Sequence, residues 1–268
     1  MKKILLFTIV CSCAVACSRN AVTGKNQLLL VPESEMQTMA ASQYKDFLDS
    51  SKVVNPSVKD AAMVRRIGQR ITTAITNYYK GQGKADVLAG YNWDYNLVES
   101  NEVNAWCMPG GKIVVYTGLL PITQNEAALA VVMGHEITHA LARHGSERMS
   151  QGIAQQFGGA ALSALLANKS QGVQSLAMTA YGVGSNYGVI LPFSRNQEYE
   201  ADQFGLNFAA MAGYNPQEAI PLWQRMEQAG GGNRPPEFLS THPSEGNRIA
   251  RLQKQMPEAL KYYKPVSN

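Results

Sequence analysis

The run from Val131 to Arg143, VVMGHEITHALAR, constrains this chain more than any other stretch, because it sets His135, Glu136 and His139 in the spacing H-E-x-x-H within an otherwise apolar segment. At about 100° per residue, side chains four positions apart lie about 40° from each other on a helix and one turn apart along it, so both imidazoles reach one metal ion. Glu136 sits beside that face, where its carboxylate can take a proton from water held by the metal. With four histidines and fourteen glutamates in 268 residues, chance produces this spacing in roughly three of a thousand such chains. A buried helix whose histidines merely bond to carbonyl groups is therefore the weaker reading.

Thr123 and Glu126 have the T-x-x-E spacing of a capping box for this helix, and Gly145 marks its stop. The helix is apolar nearly all round and so is expected to be buried, where three polar side chains are costly without a purpose. His144 lies nine residues from His135, about 180° around a continuous helix, and is read as structural. Two histidines need a third protein ligand and an open position for water. The stretch SRNQEYEAD supplies a carboxylate. Ser194 to Gln197 resembles a capping box, starting a helix on which Glu198 and Asp202 share one face while Glu200 points about 200° away. Glu198 can bind metal, and Asp202 can accept the free imidazole N–H of a ligating histidine.

Around these motifs, 45% hydrophobic and 16% charged residues read as one principal globular domain rather than a disordered chain. Residues 1–16 begin with Lys2 and Lys3, continue through ILLFTIVCSCAVA and end in small residues, the pattern of a signal peptide. Its apolar stretch is shorter than the ~20 residues a membrane span needs, so cleavage is expected. Ala14 to Ala16 fit an A-x-A cleavage site, but Cys17 follows at once, an arrangement that resembles the lipobox of bacterial lipoproteins except for Ala14 where Leu is usual, and lipidation of Cys17 is the favoured reading; several acyl chains there would anchor stably. Removing the leader leaves 24 minus 2 basic against 20 acidic residues, a net charge of +2, from which no nucleic-acid footprint follows. Cys11, Cys13, Cys17 and Cys107 form neither a disulfide framework nor a cysteine zinc site, and Cys107 reads as a buried free thiol.

Residues 17–26 are expected to be a polar tether, and 27–268 a single domain. Within it come a short strand at Gln27 to Val31, a helix start at Pro32 to Glu35, and two core helices with stripes at Met36, Ala40, Tyr44, Phe47 and at Val64, Ile67, Ile71, Ile75. Tyr91 to Val98, Val103 to Cys107 and Lys112 to Thr117, with a turn at Pro109-Gly110-Gly111, suggest a small antiparallel sheet. Asn104 to Gly111 is either an edge that pairs with a substrate backbone or a plain core hairpin. Residues 151–189, rich in Gly, Ala, Ser and Gln, form an insertion of one or two helices that either covers the cleft or is a solvated connection.

The pieces NAWCMPGGKIVVYTGLL, NEAALAVVMGHEITHALARH, SRNQEYEADQFG and STHPSEGNRI together resemble the HtpX and CAAX-prenyl-protease family of zinc metallopeptidases, metallopeptidase family forty-eight among the gluzincins. The resemblance implies a zincin-like α+β fold, mostly helical with a small sheet beside the metal helix. It implies one zinc ion per chain on His135, His139 and Glu198, with Glu136 as catalytic base. His242, ahead of Pro243 and a helix at Ser244 to Gln255, is placed near the site by the same resemblance. It would act there as a donor to the tetrahedral intermediate or as a fourth, inhibitory ligand; a structural histidine is the alternative. Arg248 either holds that element or binds a carboxylate. The embedded members carry transmembrane helices that this chain lacks, so it resembles the secreted, lipid-anchored bacterial branch, with no room for an added repeat domain. The expected activity is endoproteolysis of envelope proteins in quality control, at the outer membrane facing the periplasm. A membrane-anchored assembly or binding factor with a structural zinc is the alternative.

Overall fold

The computed structural model describes residues 17–186, 190–230, 236–242 and 246–265; the leader expected at 1–16, together with Pro243 and Ser244, lies outside them. The chain opens with two short antiparallel strands, β1 (Cys17–Arg19) and β2 (Asn26–Leu28). Residues 17–26 are thus not a loose tether. Asn20 and Gln27 are buried polar side chains, and their hydrogen bonds into the core, given below, dock this hairpin.

Helices α1 (Glu33–Ser50) and α2 (Lys59–Gly81) follow as the apolar stripes require: Val64, Ile67, Ile71 and Ile75 of α2 are fully buried, and Met36, Ala40 and Tyr44 of α1 are buried. Next come β3 (Asp94–Val98), β4 (Ala105–Met108) and β5 (Lys112–Tyr116) in the order β3-β5-β4. The sheet is mixed rather than purely antiparallel. Gly110 (φ 79°) and Gly111 (φ 85°) close a tight β4–β5 turn in a backbone region that favours glycine, and this reversal leaves β5 parallel to β3 while β4 forms the edge.

After a short helix α3 (Leu120–Thr123), the metal-motif helix α4 runs from Glu126 to Leu141. Its N-cap is Asn125, whose Oδ1 accepts the Ala128 N–H at 2.8 Å. Thr123, expected to cap it, instead closes α3, donating its hydroxyl to the Leu120 carbonyl at 3.1 Å. Gln124 intervenes with φ 65° and turns the chain between the two helices. Helix α4 ends before Gly145. Arg143 takes a left-handed conformation, φ 55°, and a new helix α5 (His144–Leu165) starts beyond it.

The expected insertion is helical: α5 continues into it and is followed by α6 (Gln171–Ser185). Helix α7 spans Leu191–Met211 without a break, so Ser194 lies inside its first turns and does not cap it. The remaining helices are α8 (Ala219–Gly230), α9 (Glu237–Thr241) and α10 (Arg248–Tyr262). The last starts beyond the expected Ser244. One core, drawn from α2, β3, β5, α4, α7, α8 and α10, surrounds α4. Among the described residues no helix is long and apolar enough to cross a membrane.

Candidate metal centre

Two glycines set how closely the helices of the site approach. Where α4 and α7 pack, a Cβ on Gly134 would stand 2.5 Å from the Gly205 carbonyl oxygen, and one on Gly205 would stand 2.6 Å from the His135 backbone nitrogen. No side chain fits either place at this backbone spacing. Gly134 immediately precedes His135, and Gly205 follows Asp202 by three residues, so this contact brings the two polar motifs face to face.

His135 Nε2 and His139 Nε2 lie 3.0 Å apart. Glu198 Oε2 is 3.2 Å from His135 Nε2, and Glu198 Oε1 is 3.3 Å from His139 Nε2. His242 adds its Nδ1, 3.3 Å from His135 Nε2 and 3.1 Å from Glu198 Oε2. Donors about 2.0–2.1 Å from a tetrahedral ion are about 3.3 Å from one another, so these separations are those of atoms around one cation. Two imidazoles, a carboxylate and a third imidazole also suit zinc by type. All four residues are buried. Glu136 lies alongside with Oε1 3.4 Å from His242 Nε2. The Oε1 atoms of Glu136 and Glu198 are buried without a hydrogen-bond partner, an arrangement that a bound cation and its water would relieve.

Each histidine of α4 is held from behind. His135 Nδ1 is 2.9 Å from Asp202 Oδ1, so with Nε2 turned to the metal position the Nδ1–H donates to this carboxylate. Arg248, buried, donates to the same oxygen at 2.5 Å and to the His242 carbonyl at 3.4 Å, while its guanidinium lies 3.4 Å from the centre of the Trp223 ring. Arg248 therefore does both things left open for it. It binds a carboxylate and holds the His242 segment. Phe238 completes that support, stacking on the His242 ring at 4.5 Å and donating its N–H to the Val103 carbonyl at 3.1 Å.

His139 has a support that the sequence did not disclose. Because the chain turns at Arg143, His144 folds back and places its Nδ1 2.8 Å from His139 Nδ1, while its Nε2 is 3.1 Å from Glu200 Oε2. One proton assignment satisfies the chain: His139 Nδ1–H donates to His144 Nδ1, and His144 Nε2–H donates to Glu200. Glu200 also pairs with Lys25 of the N-terminal hairpin. His144 and Glu200 thus stand outside the four-residue donor group and orient one of its members, His139. The hairpin also covers the C-terminal end of α4: Asn20 Nδ2 donates to the Leu141 carbonyl at 3.3 Å and Gln27 Nε2 to the Ala142 carbonyl at 2.6 Å. Tyr91 Oη donates to the Ala140 carbonyl at 2.8 Å. These bonds satisfy groups that every helix terminus leaves open.

The electrostatics follow from burial set against neighbouring charge. Burial disfavours imidazolium at His135, but the carboxylates of Asp202 and Glu198 outweigh it and hold the pKa up at about 9 without metal. At His139 burial wins over Glu198, and the imidazole is kept neutral, the form that binds metal. Burial likewise resists ionisation of Glu198, yet the surrounding histidines keep it well below the usual carboxylate range. Glu136 goes the other way: burial raises it, only partly offset by His242 and His135. Cys107 is half-buried and free, its thiol pushed well up by burial and then by Glu136.

Strand β4 packs against α4. Tyr116 N–H donates to the Asn104 carbonyl at 3.1 Å, so with the β4–β5 register the backbone groups of Ala105 and Cys107 point away from β5. Among the described residues no strand pairs with that outer side. Cys17 is exposed on β1.

The pattern has known counterparts. The profile of peptidase family M48 matches residues 66–256. The chain is 31% identical over 247 residues to the mitochondrial metalloendopeptidase OMA1 of Bos taurus, covering 90% of this chain and 46% of that protein. It is 37% identical over 190 residues to the OMA1 of Arabidopsis thaliana, covering 70% and 37%. The beta-barrel assembly-enhancing protease of Escherichia coli is 36% identical over 159 residues, covering 58% and 32%. This chain thus spans less than half the length of these relatives. Their names place the likeness with OMA1 and the assembly-enhancing protease rather than specifically with HtpX or the CAAX proteases. With the profile covering most of its length and the buried His-His-Glu-His cluster inside the matched region, the chain belongs to peptidase family M48, a family of metallopeptidases.

Proposed function

We propose that this protein is a zinc-dependent endopeptidase, with one zinc ion per chain on His135, His139 and Glu198 and Glu136 as general base. The observation that carries this reading is Glu136. Its carboxylate is buried beside the donor cluster with Oε1 unpartnered and its pKa raised by burial, a costly placement that a purely structural metal site does not need. When bound, zinc supplies Lewis acidity toward water and the peptide carbonyl. Glu136 takes the proton of the attacking water and returns it to the leaving amine. The outward carbonyl of Ala105 and the outward N–H and carbonyl of Cys107 offer an extended substrate main-chain bonds that are independent of its sequence, the Ala105 N–H being taken by Asn104 Oδ1 at 2.9 Å.

His242 has two roles open to it. As a fourth ligand at rest it would hold the protein latent, and the closeness of its Nδ1 to His135 and Glu198 supports this; as an oxyanion donor it would serve turnover. The substrates proposed are envelope proteins undergoing quality control, in keeping with the name of the Escherichia coli relative. The exposed position of Cys17 suits a lipid anchor in the bacterial outer membrane, with the protein facing the periplasm.

Glu136→Gln tests the enzyme reading: zinc content should stay at about one per chain while cleavage of unfolded casein is lost. A second reading, an assembly or binding factor with structural zinc, draws on the closed set of four protein donors. It is preferred if Glu136→Gln leaves cleavage as it was. His242→Ala separates the two roles of His242 by sign, with basal turnover rising if it latches the site and falling roughly 10²-fold if it stabilises the oxyanion.

A further inference from the structure

We infer that the α5–α6 hairpin is a membrane-docking element that lies on an anionic bilayer surface. Its inner side is settled by close contacts. A Cβ on Gly158 would meet the Tyr181 hydroxyl at 2.3 Å, and one on Gly159 would meet Met178 and Tyr181 at 3.7 and 3.5 Å, so Met178 and Tyr181 of α6 face α5. Val173, Leu176 and Val183 fall within about 80° of one another on roughly the opposite side of α6. They are exposed, Leu176 by 73%. Phe157 and Leu165 of α5 are exposed by 73% and 80%. No residue of α6 is buried. Large apolar side chains so exposed on one helical hairpin mark an interaction surface.

Charge identifies the partner. From Arg148 to Gln197 the chain has no Asp or Glu, and its charged residues are Arg148, Lys169 and Arg195. Lys169 is exposed in the turn between the two helices, beside Leu165 and Leu166, and Arg148 is exposed at the root of α5. An exposed apolar surface on a stretch whose own charged residues are all basic complements anionic headgroups over acyl chains. Neither helix is apolar enough to cross the bilayer, so it would lie along the interface.

A second observation concerns the root of the same hairpin. Leu28 of β2, with Ala154, Tyr181 and Ile190, lines an apolar groove of about 540 Å³ at the root of the hairpin. Cys17 is directly opposite Leu28 in the β1–β2 pairing, and opposed residues of an antiparallel pair project from the same face. The residue proposed to carry the lipid thus starts next to the hairpin. The docking itself rests on the hairpin alone and holds whether or not Cys17 is acylated.

The test is flotation of the chain from residue 17, carrying Cys17→Ser, with vesicles of phosphatidylethanolamine and phosphatidylglycerol. The unlipidated protein should float with them, bind phosphatidylcholine vesicles more weakly, and come off as salt is raised. Leu165→Glu with Leu176→Glu should weaken binding at least tenfold while zinc content and the urea midpoint stay unchanged, which shows that the fold is intact. The inference is overturned if the Cys17→Ser protein does not float, or if the double variant binds as well as its parent. It is also overturned if the variant instead abolishes a concentration-dependent dimer of a protein that ignores vesicles, which would give the face to a second copy. The lipid anchor is judged separately, by the mass of the mature N-terminus of the wild-type protein.

Discussion

Helices α4 and α6 are built from similar small and apolar residues, yet every residue from Ala128 to Leu141 of α4 is buried and none of α6 is. Composition does not separate them; glycine placement does. Gly134 is where the backbone of α7 comes within reach, whereas Gly172, Gly182 and Gly184 of α6 have no atom within 4 Å of a would-be Cβ. In α4 a missing side chain creates a contact, and in α6 it only removes one. The first helix can therefore hold buried polar groups at fixed distances, because its neighbours supply Glu198, Asp202 and His144 as counter-groups. The second has nothing to hold and is free to present its outer face.

The largest expected contrast is in pH dependence. His135 has its pKa raised from 6.5 to about 9 in the metal-free protein. A raised folded pKa contributes stability that is fully present below 6.5 and is lost as pH rises through about 9. Urea unfolding of the zinc-free protein should therefore show a loss of up to about 3 kcal/mol over that window. The zinc-bound protein, whose ligating imidazole is neutral throughout, should show no such loss. Residues 149–168, which make up most of α5, contain no titratable side chain, so hydrogen exchange in that stretch should not follow the same curve after correction for the intrinsic rate.

Next comes Gly134→Ala. Its methyl group would sit 2.5 Å from the Gly205 carbonyl oxygen, and forcing α4 and α7 apart should cost about 1–3 kcal/mol. Zinc occupancy should fall with it, because Glu198 and Asp202 move with α7. Equal stability and full zinc content in this variant would mean that the helix contact does not set the site. A smaller effect is expected one layer out. His144→Phe keeps a ring but removes the acceptor for His139 Nδ1–H, and zinc affinity in a chelator competition should fall about 10–100-fold. Glu200→Gln should fall less, since its amide oxygen still accepts from His144.

How much of this was legible in the sequence depends on whether a feature is local. His135, Glu136 and His139 were readable because four residues make one helical turn, and Glu198 with Asp202 for the same reason. The core stripe of α2 and the turn at Gly110 and Gly111 were readable from periodicity and from glycine. The support of His139 was not, because it depends on a left-handed Arg143, which carries no glycine signal, and it joins His144 to a glutamate 56 residues away. The N-terminal hairpin was misread for a related reason. Its residues are polar and small like those of a tether, and they are ordered by the open carbonyls of Leu141 and Ala142, more than 100 residues on. Asn125 was a missed local signal, an N-cap residue directly before the helix. Thr123 and Glu126 match the capping-box spacing, but the hydroxyl of Thr123 donates to the Leu120 carbonyl and Asn125 makes the cap.

The smallest effect concerns α6 and has the opposite sign. Gly182 lies within the helix with nothing within 4 Å of a would-be Cβ and without a positive φ, so Gly182→Ala meets no clash and gains helix propensity. The gain should be about 0.5–1 kcal/mol, partly through fewer conformations of the unfolded segment. It will not all appear in a global unfolding curve, because α6 packs on α5 rather than on the main core and can open locally. Hydrogen exchange resolves it: amides between Gln171 and Ser185 should slow by about two- to fivefold, with those of α4 unchanged. If α4 amides slow by the same factor, the hairpin and the metal core open as one cooperative unit, and the difference between the two helices is one of exposure alone.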